Sequence, residues 1–182
     1  TATFRSPITD GPGNDFAVFE NTFRISGGQY DFAELGYIEV SSNGTDFVRF
    51  DSATLSDLRV GAFGGMLASN VGGVAGQYWS GYGAQFDLST LKNRPEVRSG
   101  RVDLSRITHV KVRDIAGCGD ELDSFGRPIY DPCGTAQSGG FDLQGIGVLN
   151  QADNIPWIDT PVLTAGPQTA SLATKVTANG TA

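Results

Sequence analysis

Gly36-Tyr-Ile-Glu-Val-Ser-Ser-Asn-Gly-Thr-Asp-Phe-Val-Arg-Phe50 is the stretch that decides the fold class of this chain. Ile38 and Val40 fall on one face of a strand, and Tyr37 and Glu39 on the other, because successive side chains of a strand point to opposite faces. Asn43-Gly44 then offers the positive φ values of a tight hairpin turn, and Val48 and Phe50 resume the apolar face on the return strand. The same alternation runs through residues 15 to 20, through Val110 and Val112 set against His109, Lys111 and Arg113, and through Ile146 and Val148. Strands with one polar face, separated by turns and long loops, predict an all-β protein: an antiparallel β-sandwich, jelly-roll-like, rather than a parallel α/β sheet. Composition agrees, since Gly numbers 25 and charged residues are only 18%, which favours turns over long helices.

Ahead of this hairpin, Asp10-Gly-Pro-Gly-Asn-Asp-Phe-Ala-Val-Phe-Glu-Asn21 sets Asp10, Asn14, Asp15 and Glu20 around a turn that opens a strand. Oxygen ligands at this spacing suit a hard cation, calcium above all. An ordinary acidic turn is the competing reading, because the full D-x-D-x-D-G loop with its closing Glu is absent.

Asp10 to Asn21, Phe32 to Phe50, Phe86-Asp-Leu88, Val102 to Asp114 and Gly139 to Asn150 follow in order the blocks DGPGxDFxVFEN, FAELxxVEVSxDGxxFxxF, FDL, VDLSxITHVKxRD and GGFDLxGxGVLN. On these blocks, spread over residues 3 to 150, the chain resembles a family of secreted bacterial cell-surface proteins, often carrying sorting tails. That family is similar in outline to jelly-roll modules of the discoidin and galactose-binding kind. The resemblance implies export to the cell surface and carries no enzymatic activity with it. By analogy with jelly-roll modules that hold a structural calcium ion, an acid from the last strand meets the first acidic loop, which adds Asp142, and Asp114 at the end of the His109 strand, to the candidate ligands. Members of the family begin with further strands ahead of the first block, whereas here only a few residues from Thr1 precede it.

Thirteen basic against twenty acidic residues leave a net charge of −7, which argues against nucleic acid or an anionic membrane as partner and suits a binder of cations. The two cysteines, Cys118 and Cys133, flank a loop rich in Gly, Asp and Pro; a disulfide between them would stabilise by about 3 kcal/mol, and two reduced buried thiols are the alternative. With His109 the only histidine and no C-x-x-C pair, the residues argue against a zinc site. No apolar run reaches the ~18 residues that span a membrane. A start at Thr1 without Met or signal peptide leads to the expectation of a mature, exported, soluble chain.

Arg59 to Arg101 reads as one long Gly-rich loop threaded with Phe63, Tyr78, Trp79, Tyr82 and Phe86. Tyr78, Trp79 and Tyr82 there form either a lid over one end of the sandwich or a platform on which a sugar ring stacks. After Asn150 the composition changes to Pro, Thr and Ala, which divides the chain into a sandwich domain over 1–150 and an extension over 151–182. Within that extension the segments holding Val162 and Leu163, and Leu172 and Val176, have the residues to pair as strands. They would fill an open sheet edge, in their own domain or, as a donated strand, in a neighbouring copy, which would yield an oligomer or filament.

Catalysis finds one opening in sequence, a glycosidase pair drawn from Glu20, Glu34 and Glu39. His109 belongs to an outward strand face and no G-x-S-x-G occurs. The expected function is therefore non-catalytic: a calcium-stabilised structural or adhesive surface protein that self-associates through its terminal segment, with a polysaccharide-binding module as the alternative.

Overall fold

The computed structural model describes residues 1–25, 27–135, 139–152 and 162–163. In chain order its strands are β1 (Ala2–Ile8), β2 (Phe16–Phe19), β3 (Phe23–Arg24), β4 (Asp31–Phe32), β5 (Gly36–Ser41), β6 (Val48–Arg49) and β7 (Ala53–Thr54). They continue with β8 (Val71–Gly72), β9 (Ala84–Phe86), β10 (Ile107–Asp114), β11 (Cys118–Leu122), β12 (Pro128–Tyr130), β13 (Gly145–Val148) and β14 (Val162–Leu163). A five-stranded sheet of order β14-β1-β10-β5-β6 faces a three-stranded sheet of order β13-β2-β9, with antiparallel neighbours throughout. The fold is an all-β antiparallel sandwich, as the alternation predicts.

The predicted inward faces meet. Val40 pairs with Val110 and Ile38 with Val112 across β5 and β10, so two apolar stripes lie side by side on the larger sheet. Ala2, Phe4, Ile38, Val40, Val48 and Val110 pack against Phe16, Val18, Ala84 and Phe86 of the smaller sheet. Phe86 stacks on Phe16 at 5.3 Å between ring centroids and lies 4.9 Å from Phe50. Each buried Val, Ile or Phe among them contributes roughly 1.5–3 kcal/mol by leaving water.

Four expectations are corrected. Tyr37 is not on a polar face: it is buried in a second cluster with Leu35, Met66, Val74, Ile115 and Ile129, where its hydroxyl donates to the Leu122 carbonyl at 2.6 Å. The Asn43-Gly44 turn is not a two-residue hairpin, since β5 ends at Ser41 and β6 starts at Val48; Asn43 Oδ1 instead accepts from the Thr45 and Asp46 amides, and only Gly44 takes a positive φ, of 76°. The segment from Arg59 to Arg101 is not one loop, because it contains β8, β9, a 3₁₀ turn at Leu88–Leu91 and a short helix, α1 (Pro95–Arg98). Residues 1–8 form a full strand of the larger sheet, with Ala2, Phe4 and Ile8 buried.

A disulfide joins Cys118 to Cys133 and closes the loop around β11 and β12. At the edge of the larger sheet, Val162 and Leu163 pair with Thr3 and Ala2 of the same chain's β1. Leu172 and Val176 lie outside the described residues. No helix among the described residues is long and apolar enough to cross a membrane.

Candidate functional site

The predicted metal ligands separate into two groups at opposite ends of β2. Asp15, wholly buried, stands before the strand: its Oδ1 accepts from the Gly11 amide and from Asn150 Nδ2, both at 2.8 Å, and its Oδ2 accepts from the Leu88 amide at 2.7 Å. These bonds tie the acidic loop to the segments after β9 and β13. Asp10 and Asp87 each bring a carboxylate oxygen within 4.8 Å of Asp15. Burial, then repulsion from Asp15 and Asp87, raises the Asp10 carboxyl above its ordinary range. Asn14 turns away, donating to Gln85 Oε1. With Asp15 engaged by three N–H donors, this group acts first as a structural knot, and Asp87, which sequence reasoning missed, completes it.

Glu20 lies past the other end of β2, about 16 Å along the strand from Asp15 at the usual rise per residue. Its Oε2 accepts from the Thr22 amide at 2.6 Å and contacts the Thr22 hydroxyl, which also lies 2.5 Å from the Gly76 carbonyl. Burial pushes the Glu20 carboxyl up to about 7, against the hydrogen bonds from Thr22 and Asn21, and the charge of Glu34 adds to the rise. Glu34 is itself buried and raised, with Asp142 and Asp114 adding to that effect, while Gly140 N donates to its Oε1 at 2.8 Å. Asp114 accepts from the Phe141 amide at 2.7 Å, and Asp142 from Asn21 Nδ2 at 3.0 Å. Asp131, raised to about 7 by burial with further push from Asp114, Glu34 and Glu121, completes an acidic pole around the ends of β2 and β10.

The aromatic segment leaves this same pole. Gly76 sits at a φ of 90° with its missing Cβ position 2.1 Å from the Glu34 carbonyl, so only glycine lets the chain pass. Trp79 Nε1 donates to Asp31 Oδ1 at 2.9 Å; the Arg24 guanidinium lies 4.4 Å from the Trp79 ring centroid and is paired with the same Asp31 oxygen at 2.7 Å. Ser80 N donates to the Thr22 carbonyl and Tyr82 N to the Trp79 carbonyl, both at 2.8 Å. The rings are thus held at their base yet remain outward: Tyr78 is 48% exposed, Trp79 44% and Tyr82 70%. They do not close over the core as a lid. The loop aromatics were legible as a type of residue; their anchors Arg24 and Asp31, far from Trp79 in the chain, were not.

Of the residues considered for catalysis, Glu39 and His109 are engaged away from the other two. Glu39 is paired with Lys111 at 2.6 Å across β5 and β10. The His109 ring shares a hydrogen bond with the Thr108 hydroxyl at 2.8 Å and rests against Phe47. Glu20 and Glu34 are neighbours, and both are buried, 2% and 5% exposed. No family model, curated protein or solved structure matches this chain.

Proposed function

We propose that this chain is a non-catalytic adhesive β-sandwich module of an exported cell-surface protein, and that it contacts polysaccharide through Tyr78, Trp79 and Tyr82. One observation carries the reading: three aromatic side chains stand exposed on a segment whose backbone and indole are tied down by Thr22 and Asp31. Large exposed rings on a fixed base present an apolar face without the entropy loss of ordering a mobile loop, which is what a pyranose ring requires of a stacking partner. The disulfide supports an oxidising compartment, and the acidic charge suits a neutral or cation-bridged glycan rather than a polyanion. Retardation of the full chain in gels containing single purified polysaccharides tests this, with Tyr82→Ala as the comparison. Retardation by at least one neutral polysaccharide, lost in the variant, is expected; unaltered mobility throughout, or retardation that the variant keeps, contradicts it.

Self-association through the terminal segment is the second reading, favoured by the pairing of Val162–Leu163 on β1. A strand that closes an edge within one chain can close the same edge in the next, and a head-to-tail exchange need not end. Sedimentation of the full chain and of a chain lacking residues 160–182 tests this: assembly lost on deletion supports it, and a full-length monomer at high concentration removes it.

A further inference from the structure

Thr22 holds the aromatic segment at two points. Its hydroxyl lies 2.5 Å from the Gly76 carbonyl, where that segment begins, and its own carbonyl accepts from the Ser80 amide at 2.8 Å. The residue is 1% exposed, so both contacts are made away from bulk water. On its other side the same hydroxyl touches Glu20 Oε2, which also accepts from the Thr22 amide at 2.6 Å. The hydroxyl has a single proton and two oxygens beside it, a carbonyl that only accepts and a carboxyl that donates when it is protonated. Both contacts are hydrogen bonds when Glu20 Oε2 carries a proton and gives it to Thr22 Oγ1, while Thr22 gives its own to Gly76. With Glu20 ionised, one proton serves two acceptors, and one contact becomes bare oxygen against oxygen. Glu20 Oε1 is buried and unpartnered, which costs less on a neutral carboxyl than on a carboxylate. Among the described residues the acids close enough to share an ion are Asp10, Asp15 and Asp87, at the other end of β2, so Glu20 belongs to no such group.

We propose that a proton on Glu20 clamps the aromatic segment: protonated, Glu20 turns the Thr22 hydroxyl toward Gly76, and ionised, it draws that hydroxyl to itself and frees Gly76. The consequence for ligand binding rests on the polysaccharide reading above, since the segment so clamped presents Tyr78, Trp79 and Tyr82. Glu34, from the segment ahead of β5, is the charged side chain that acts on Glu20, and Asp142 and Asp114 act on Glu34 in turn, each like charge favouring the proton on its neighbour. Gly140 N donates to Glu34, and Asn21 Nδ2 to Asp142. No ion pair among the described residues includes Glu20. Burial above all puts the Glu20 carboxyl at about 7, so the folded chain holds this proton more tightly than the unfolded one. Its contribution is complete below about pH 4.5 and is lost as pH rises through about 7. The segment is therefore fixed on the acid side of neutrality and loosened on the alkaline side.

The experiment measures amide hydrogen exchange of the full chain by mass spectrometry, over the peptide that holds Ser80 and Tyr82, from about pH 5.5 to about pH 8.5, corrected for the intrinsic pH dependence of exchange. Protection should fall roughly fivefold, as expected for the loss of one hydrogen bond, with its midpoint at about 7. Glu20→Gln, whose amide does not titrate, should abolish the step. Thr22→Val, which keeps the carboxyl and removes the hydroxyl, should also abolish it and leave protection low throughout. Asp131→Asn and His109→Gln, which remove the other carboxyl raised to about 7 and the only histidine, should keep the step. If Glu20→Gln fails to fold, Thr22→Val decides in its place. Even protection across the range in the parent chain overturns the proposal, as does a step that survives Glu20→Gln or Thr22→Val, or one that either control removes. Gel retardation by a neutral polysaccharide, run at both ends of the range, separates the two readings. Weaker retardation at the alkaline end is expected, and equal retardation at both ends overturns the proposal. An exchange step with no retardation at either end supports the clamp and removes the polysaccharide reading alone.

Discussion

Asp131→Asn removes one buried charge while nearly preserving shape. The residue is 3% exposed and sits inside the loop closed by Cys118 and Cys133, where its Oδ2 accepts from the Leu35 amide at 2.9 Å. Burial, with Asp114, Glu34 and Glu121 adding like charge, raises its carboxyl from 3.8 to about 7. A pKa raised on folding means that the folded chain holds the proton more tightly than the unfolded one. The stability this proton contributes is complete below about pH 4 and is lost as pH rises through about 7. Some three pH units at 1.36 kcal/mol each set the effect at about 4 kcal/mol as an upper bound. The amide of the variant does not titrate, and its side-chain oxygen can keep the bond from Leu35. Urea unfolding of both proteins in chelator, at intervals from about pH 4 to about pH 9, gives the difference in stability, in which groups common to both largely cancel. That difference should move in favour of Asp131→Asn by up to about 4 kcal/mol toward alkaline pH. A difference that stays flat, or that favours the parent chain at the alkaline end, refutes the reasoning.

Replacing Cys118 and Cys133 together by Ser should lower the unfolding free energy by about 3 kcal/mol, as expected for a loop of 15 residues, and an unchanged urea midpoint would contradict it. Asp15→Ala should cost about 3 kcal/mol, because it strands the buried Leu88 amide and the half-buried Gly11 amide and Asn150 side chain, and chelator should leave that loss untouched. A melting temperature equal to that of the parent would show that those donors find other partners.

The sandwich was legible because period-two alternation is a local signal: Ile38, Val40, Val110 and Val112 carry it without reference to anything else in the chain, and they pair as read. Tyr37 shows where locality ends. Whether the second face of β5 is covered depends on Met66, Val71 and Ile129, which arrive from segments that carry no alternation of their own. The Asn43-Gly44 turn was misplaced for a similar reason, since Asn43 forms its own side-chain turn with Thr45 and Asp46 and so lengthens the connection. β1 was missed although Ala2, Phe4 and Arg5 alternate correctly, because Pro7 interrupts the run. For the acids, the spacing in the chain brought Asp10 and Asp15 together but not Glu20. A strand of four residues separates its two ends, so Glu20 joins Glu34, Asp114 and Asp142 instead, a set that only the packing of β2 beside the ends of β5 and β10 defines. The Cys118–Cys133 bond was readable because only two cysteines exist.

The adhesive reading stands or falls with the aromatic segment, and the indole of Trp79 reports on it directly. The chain has two tryptophans, so Trp157→Phe leaves Trp79 as the single tryptophan, excited selectively over the tyrosines at long wavelength. Titration of that protein with soluble neutral polysaccharides should give a saturable shift or change in intensity of Trp79 emission for at least one of them, abolished by Tyr82→Ala with no change in melting temperature. Binding demonstrated in the same samples while Trp79 emission stays constant would place the ligand elsewhere and contradict the account.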